Sequence, residues 1–164
     1  MKILYYGGQK SGKSRLAEQK ALSLAKAQKP YYIATYDNSY GDSEMAVRIL
    51  RHRTERKASF ITIEETRKLS RHIREGETYL IDCMSMWLLN RLDDTEDSLI
   101  TELEHLANKK AHIIFVLNDV STGVIPLDAT SRRYVDLSGI IGQRLARLCD
   151  EVYEVKLGLE MRLK

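Results

Sequence analysis

Gly7-Gly8-Gln9-Lys10-Ser11-Gly12-Lys13-Ser14 decides the fold. It follows the apolar stretch Lys2-Ile3-Leu4-Tyr5-Tyr6 and opens a helical pattern running from Lys13 to about Lys26. The eight residues match G-x-x-x-x-G-K-[ST], and strand–loop–helix is the context this motif demands. Glycines let backbone N–H groups turn inward around phosphate oxygens. The helix starting at Lys13 adds the positive end of its dipole. Lys13 reaches the β- and γ-phosphates, and the Ser14 hydroxyl is placed to bind Mg²⁺. A Gly-rich turn that merely joins strand to helix would not need these residues at these positions. Nucleotide-binding candidates are therefore Gly7, Gly8, Gln9, Lys10, Ser11, Gly12, Lys13 and Ser14.

Outward from this loop, short apolar runs alternate with longer helical patterns. Ala17, Ala21, Leu24 and Ala25 share one helix face. Further strands are expected at 31–35 (YYIAT), 59–63 (SFITI), 79–83 (YLIDC) and 112–117 (HIIFVL). A short helix is expected over 43–52. Thr62 followed by Glu65 has the form of a capping box, predicting a helix to about Arg74. Leu99, Leu103 and Leu106 mark another helix, and Tyr134, Leu137, Ile141, Leu145 and Leu148 a longer one. The tail EVYEVKLGLEMRLK alternates around Gly158 and reads as a closing antiparallel hairpin at a sheet edge. Strands separated by helices of 10–20 residues make right-handed βαβ units and a mostly parallel sheet. The expected fold is α/β: one three-layer P-loop NTPase domain, RecA-like, spanning 1–164.

Composition narrows the class. The chain has 164 residues, 43% of hydrophobic types, enough for one ordinary core. Lys+Arg 26 against Asp+Glu 23 leaves a net charge of +3, too balanced for a dedicated nucleic-acid binder. No apolar run is long enough to span a membrane, and the N-terminus lacks the form of a secretory signal. Cys83 and Cys149 lack metal-ligand spacing and read as buried thiols in a reducing compartment. A cytoplasmic globular domain is expected.

Two further positions carry chemistry. Asp82 ends an apolar strand, where a P-loop protein holds Mg²⁺ through water; an Asp there also serves as a helix N-cap. Of four histidines, His72 and His105 lie in charged patterns and read as solvated, and His112 opens a buried strand. His52 stands among Arg48, Arg51, Arg53 and Arg56, with Glu55 as the counter-charge between them. Such a field suits an anion and favours the neutral, nucleophilic imidazole. A solvated basic helix end has the same spacing, so the residues alone leave both readings open.

Taken together, the P-loop, Tyr32-Ile33-Ala34-Thr35 and Glu44-Met45 through His52 resemble the adenosylcobinamide kinase/adenosylcobinamide-phosphate guanylyltransferase family. The likeness runs from residue 3 to the C-terminus. Asp82-Cys83 to Asn90, Asn118 to Pro126 and Asp136 to Ala146 match further family blocks. The chain departs from the family pattern at Asp119, Ser121, Leu127 and Gly142. The resemblance implies that His52 is the guanylylated residue. It also implies nucleotide contacts at Ala34, Thr35, Tyr36, Arg53, Thr54, Glu55, Arg56, Glu64 and Asp82.

The resemblance further implies two reactions. A nucleotide γ-phosphoryl group passes to the side-arm hydroxyl of adenosylcobinamide. GTP then gives GMP to His52 with loss of pyrophosphate, and the corrinoid phosphate attacks that intermediate. Expected catalytic residues are His52 and Lys13, with Ser14 and Asp82 toward Mg²⁺, and GTP and ATP as substrates. Expected partners are the corrinoid and further copies of the chain, a trimer in the family, with no nucleic acid and no membrane insertion. Two other readings compete: a P-loop kinase of another small metabolite, and a non-catalytic module gated by GTP.

Overall fold

The computed structural model describes residues 1–37 and 58–164. Its strands are β1 (Lys2–Gly7), β2 (Tyr31–Ala34), β3 (Ile61–Glu64), β4 (Thr78–Asp82), β5 (His112–Asn118), β6 (Glu151–Lys156) and β7 (Leu159–Arg162). Its helices are α1 (Lys13–Ala25), α2 (Met84–Asn90), α3 (Glu96–Asn108) and α4 (Ala129–Leu148). The strands form one sheet in the order β3-β2-β4-β5-β1-β6-β7. Neighbours run parallel except for the antiparallel pair β6–β7.

Side-chain alternation sorts the core into two layers. Ile3, Tyr5, Tyr32, Leu80, Ile114 and Val116 pack on the α1 side, against Ala17 and Ala21. Leu4, Ile33, Tyr79, Ile81, Ile113 and Phe115 pack on the other side, against α2, α3 and α4. Both faces of the central strands are covered, so these strands read as continuous apolar runs rather than alternating ones. The small Ala17, Ala21 and Ala25 at i, i+4, i+8 let α1 approach the sheet closely. Thr95 caps α3 by accepting from Ser98 N at 3.3 Å, and Asp128 caps α4 by accepting from Ser131 N at 2.7 Å.

Two expectations are corrected. No helix starts at Thr62: that residue lies inside β3, opposite Tyr32, where ladder bonds replace capping. The Glu65 carboxylate instead accepts from Arg67 N and Lys68 N, and only a single 3-10 turn follows, Leu69–His72. His72 is half-buried, its Nε2 3.0 Å from a Glu65 oxygen, rather than solvated. The expected closing hairpin is present at the sheet edge, where β6 and β7 pair antiparallel, while β6 joins β1 in parallel through the α4 crossover. Helix α2 adds an element that the strand-and-helix pattern did not suggest, with Met84, Trp87 and Leu88 fully buried. The helix expected over 43–52 lies outside the described residues.

Candidate nucleotide-binding site

Every parallel strand presents its carboxyl end at one rim of the sheet, and the described candidate residues gather there. The loop leaving β1 is held at several points. Ser11 N donates to Gly8 O at 3.2 Å, and Gly158 N in the β6–β7 turn donates to Ser11 O at 2.8 Å. Gly12 has φ 100, and Lys10 is left-handed at φ 57. Lys13 is buried, 5% exposed, and its Nζ spans the loop to donate to Gly8 O at 3.0 Å. Gly8, Gln9 and Lys10 face solvent, and Ser14 is half-buried on the first turn of α1. Donors thus surround an open mouth, the arrangement that receives phosphate oxygens.

The remaining described candidates fall on neighbouring strand ends. Ala34 pairs with Glu64 on one side and with Asp82 on the other, so the three share one rung. Tyr32 and Leu80 of the same alternation pack on the α1 side, which puts Asp82 on that side too. Tyr32 donates from its hydroxyl to Asp82 Oδ2 at 2.9 Å, fixing the carboxylate. Lys13 is close enough for its charge to act on Cys83, the residue after Asp82. β5 separates the P-loop strand from the Asp82 strand, and Glu64 lies further out on the edge strand. Four strand steps from β1 to β3 span roughly 19 Å across the rim.

Thr35 is 0% exposed, and its hydroxyl is spent internally. It donates to Cys83 O at 2.7 Å and accepts from Cys83 N at 2.9 Å. Asn90 Nδ2 donates to Thr35 O at 2.7 Å and to Thr66 O at 3.2 Å. The β2 and β4 ends are therefore tied together by Thr35, with Asn90 bridging from α2. Tyr36 is half-buried just beyond. Tyr32 and Asn90 were not singled out by sequence reasoning; Tyr32 lies within the YIAT block, and its role follows only from strand pairing. His52, Arg53, Thr54, Glu55 and Arg56 lie outside the described residues.

Burial, helped by the charge of Asp82, pushes the Cys83 thiol up to about 11. Burial pushes Cys149 up to about 12. Both cysteines are free, and neither is a thiolate at neutral pH, so neither is an activated nucleophile. Among the described residues no cluster of three His, Cys, Asp or Glu side chains forms a metal cage. A hydroxyl and a carboxylate on one side of the sheet, Ser14 and Asp82, still suit Mg²⁺, which keeps several waters and shares its shell with substrate phosphates. A separate cleft of about 360 Å³ lies on the opposite face, lined by Lys68, Arg71, Arg91, Glu102 and His105 among others, and contains no P-loop residue. No described helix is long and apolar enough to cross a membrane.

Comparison with known structures agrees on the fold. The chain superposes on the flagellar accessory protein FlaH from Methanocaldococcus jannaschii with a TM-score of 0.53 at 15% identity, covering 99% of this chain and 77% of that one. A prototypical ATPase from a type III secretion system gives 0.50 at 14% identity, covering 98% and 56%. Sequence similarity is more specific. The bifunctional adenosylcobalamin biosynthesis protein CobP of Pseudomonas aeruginosa is 40% identical over 176 residues, covering 100% of this chain and 98% of that protein. The bifunctional adenosylcobalamin biosynthesis protein CobU of Escherichia coli is 31% identical, with both chains covered completely. Residues 3–163 match the family model described as cobinamide kinase / cobinamide phosphate guanyltransferase, and with that P-loop and that rim the chain belongs to this family.

Proposed function

We propose that this chain phosphorylates the side-arm hydroxyl of adenosylcobinamide and then transfers GMP from GTP to the resulting phosphate through a guanylylated His52. The carrying observation is the family match over residues 3–163, on a sheet rim that gathers a phosphate loop and two carboxylates. In phosphoryl transfer the protein supplies positioning and charge neutralisation. The P-loop amides orient the β- and γ-phosphates, and Lys13 moves from Gly8 O to a phosphate oxygen. Ser14 and Asp82 would hold Mg²⁺, which neutralises phosphate charge when bound. Tyr32 keeps the Asp82 carboxylate aimed from the α1 side. Glu64, exposed on the edge strand, accepts from guanine N1–H and the 2-amino group, donors adenine lacks.

For guanylyl transfer, His52 attacks the α-phosphorus, pyrophosphate leaves, and the corrinoid phosphate displaces the imidazole. Arg53 and Arg56 compensate phosphate charge, and Ala34, Thr35 and Tyr36 form the backbone wall of the nucleotide site. Both reactions share one domain, 1–164, with ATP or GTP as phosphoryl donor. A homo-oligomer, trimeric by family resemblance, belongs to this reading; the exposed apolar Leu159 and Met161 on the last strand, and Leu163 just after it, support it. The experiment is labelling with GTP followed by peptide mapping, with His52→Asn assayed in both half-reactions. The expected adduct is GMP on the His52 peptide, labile in acid and stable in alkali, lost in the variant while phosphorylation persists. A GMP adduct elsewhere, or full guanylyl transfer by His52→Asn, refutes the covalent histidine.

A further inference from the structure

β5 is the strand between the P-loop strand and the Asp82 strand, so its carboxyl end opens between the two. Gly7 pairs with Asn118, and the next residue, Asp119, donates from its N–H to Gly7 O at 2.8 Å. Asp119 is thus anchored to the base of the phosphate loop. Its carboxylate is oriented as firmly as its backbone. Oδ1 accepts from Ser121 N at 3.0 Å and from Ser121 Oγ at 2.8 Å. Tyr6 Oη stands 3.3 Å from Ser121 Oγ, beside this network. Thr122 Oγ1 reaches Oδ2 only at 3.5 Å, the weakest of these contacts and one an incoming hydroxyl displaces.

The side of the sheet matters as much as the anchoring. Tyr6 packs on the core layer opposite α1, so the Asp119 network stands across the end of β1 from the helix that begins with Lys13 and Ser14. In-line phosphoryl transfer needs its acceptor on the far side of the phosphorus from the leaving group. A donor cradled at α1 and an acceptor held at Asp119 meet that requirement. Beyond Asp119 the chain projects into solvent, with Val124 94%, Ile125 77% and Leu127 97% exposed. These side chains offer an apolar surface to the body of a large acceptor beside the carboxylate that takes its hydroxyl.

We propose that Asp119 is the catalytic residue of the kinase half-reaction that binds and deprotonates the acceptor hydroxyl. This inference rests on the function proposed above. The acceptor oxygen forms a bond to the γ-phosphorus as the bond from that phosphorus to the β-bridging oxygen breaks. The hydroxyl proton passes to Asp119 and then to water, and nucleoside diphosphate leaves. Burial would raise the Asp119 pKa, but hydrogen bonds from Tyr6, Ser121 and Thr122 outweigh it and hold the carboxyl below the usual range. The carboxylate is therefore ionised and ready to accept, and takes the proton late, as fits a loose transition state.

The test uses the full chain with cobinamide and ATP or GTP for phosphorylation, and GTP with preformed cobinamide phosphate for guanylyl transfer. Asp119→Asn should lower kcat for phosphorylation about 100-fold or more, with nucleotide KM within about threefold. Guanylyl transfer and melting temperature should stay near wild type. Asp119→Glu, which keeps a carboxylate, should recover at least about a tenth of the rate. An equal loss in both half-reactions, or a loss in KM for nucleotide alone, overturns the acceptor role. If wild type phosphorylates cobinamide and Asp119→Asn does so equally fast, only this inference falls. If wild type does not phosphorylate cobinamide at all, the proposed function falls with it.

Discussion

Three glycines of the phosphate loop separate packing from function, because an added methyl meets a different obstacle at each. At Gly7 a Cβ would stand 2.3 Å from Val155 O and 3.0 Å from Ser11 Oγ. Backbone of the neighbouring β6 must move by roughly an ångström, at a cost of about 3 kcal/mol, the upper end of ordinary overpacking. At Gly12, φ 100 strains any L-residue by about 1–2 kcal/mol, and the Cβ comes 3.2 Å from Gly158 Cα. At Gly8 the Cβ meets nothing within 4 Å, so stability should change by less than about 0.5 kcal/mol. For a chain of this length each kcal/mol shifts Tm by about 2–4 °C. Thermal melts without nucleotide should therefore rank Gly7→Ala lowest, down about 6–12 °C, Gly12→Ala next, down about 2–8 °C, and Gly8→Ala near wild type. The proposed function assigns the open space at Gly8 to phosphate, so GTP should raise the Tm of Gly8→Ala less than that of wild type. A Gly7→Ala protein melting with wild type would refute the close approach of β6 to the loop. Gly8→Ala as the least stable of the three would refute the assignment of its space to the ligand.

Thr35→Val should lower Tm by about 2–12 °C, because it leaves the partly buried Cys83 N–H without its acceptor at a cost of about 1–3 kcal/mol. Thr35→Ser keeps the hydroxyl and should melt near wild type; a stable Val variant that loses only GTP affinity would instead place the hydroxyl on the nucleotide. Burial works to raise the Glu65 pKa, but the amides of Lys68 and Arg67 and the His72 side chain outweigh it and hold the carboxyl below its ordinary range. A lowered carboxyl pKa stabilises the fold above the unfolded value of about 4.3, and that stabilisation is lost as pH falls through the folded value. The Tm gap between wild type and Glu65→Gln should therefore be present at pH 6 and close toward pH 3; a gap that widens in acid refutes this sign.

What the sequence made legible follows from where the physics is local. Leu4, Ile81 and Phe115 belong to runs buried on both faces, and such runs announce parallel strands without further context. The phosphate loop is legible for the same reason, since its chemistry is complete within eight consecutive residues. Thr62 and Glu65 misled because their spacing is right for a cap while the competing partner, Tyr32, is thirty residues away on β2. α2 has only seven residues, too few turns to display a period, although Met84, Trp87 and Leu88 hold its buried face. The rim shows the same division. Thr35 is identifiable as a rim residue from its motif, but its work, bonding Cys83 through both N–H and C=O, depends on β2 lying beside β4. Asp119 is further still from sequence view: its position depends on β5 inserting between β1 and β4, which only the strand order reveals. In a parallel sheet each crossover returns the chain to the same rim, so groups from residue 7 to residue 119 converge there without being neighbours in sequence. The phosphate-loop motif is therefore written in one stretch, whereas the rim groups proposed to aim the donor and receive the acceptor are written in the topology.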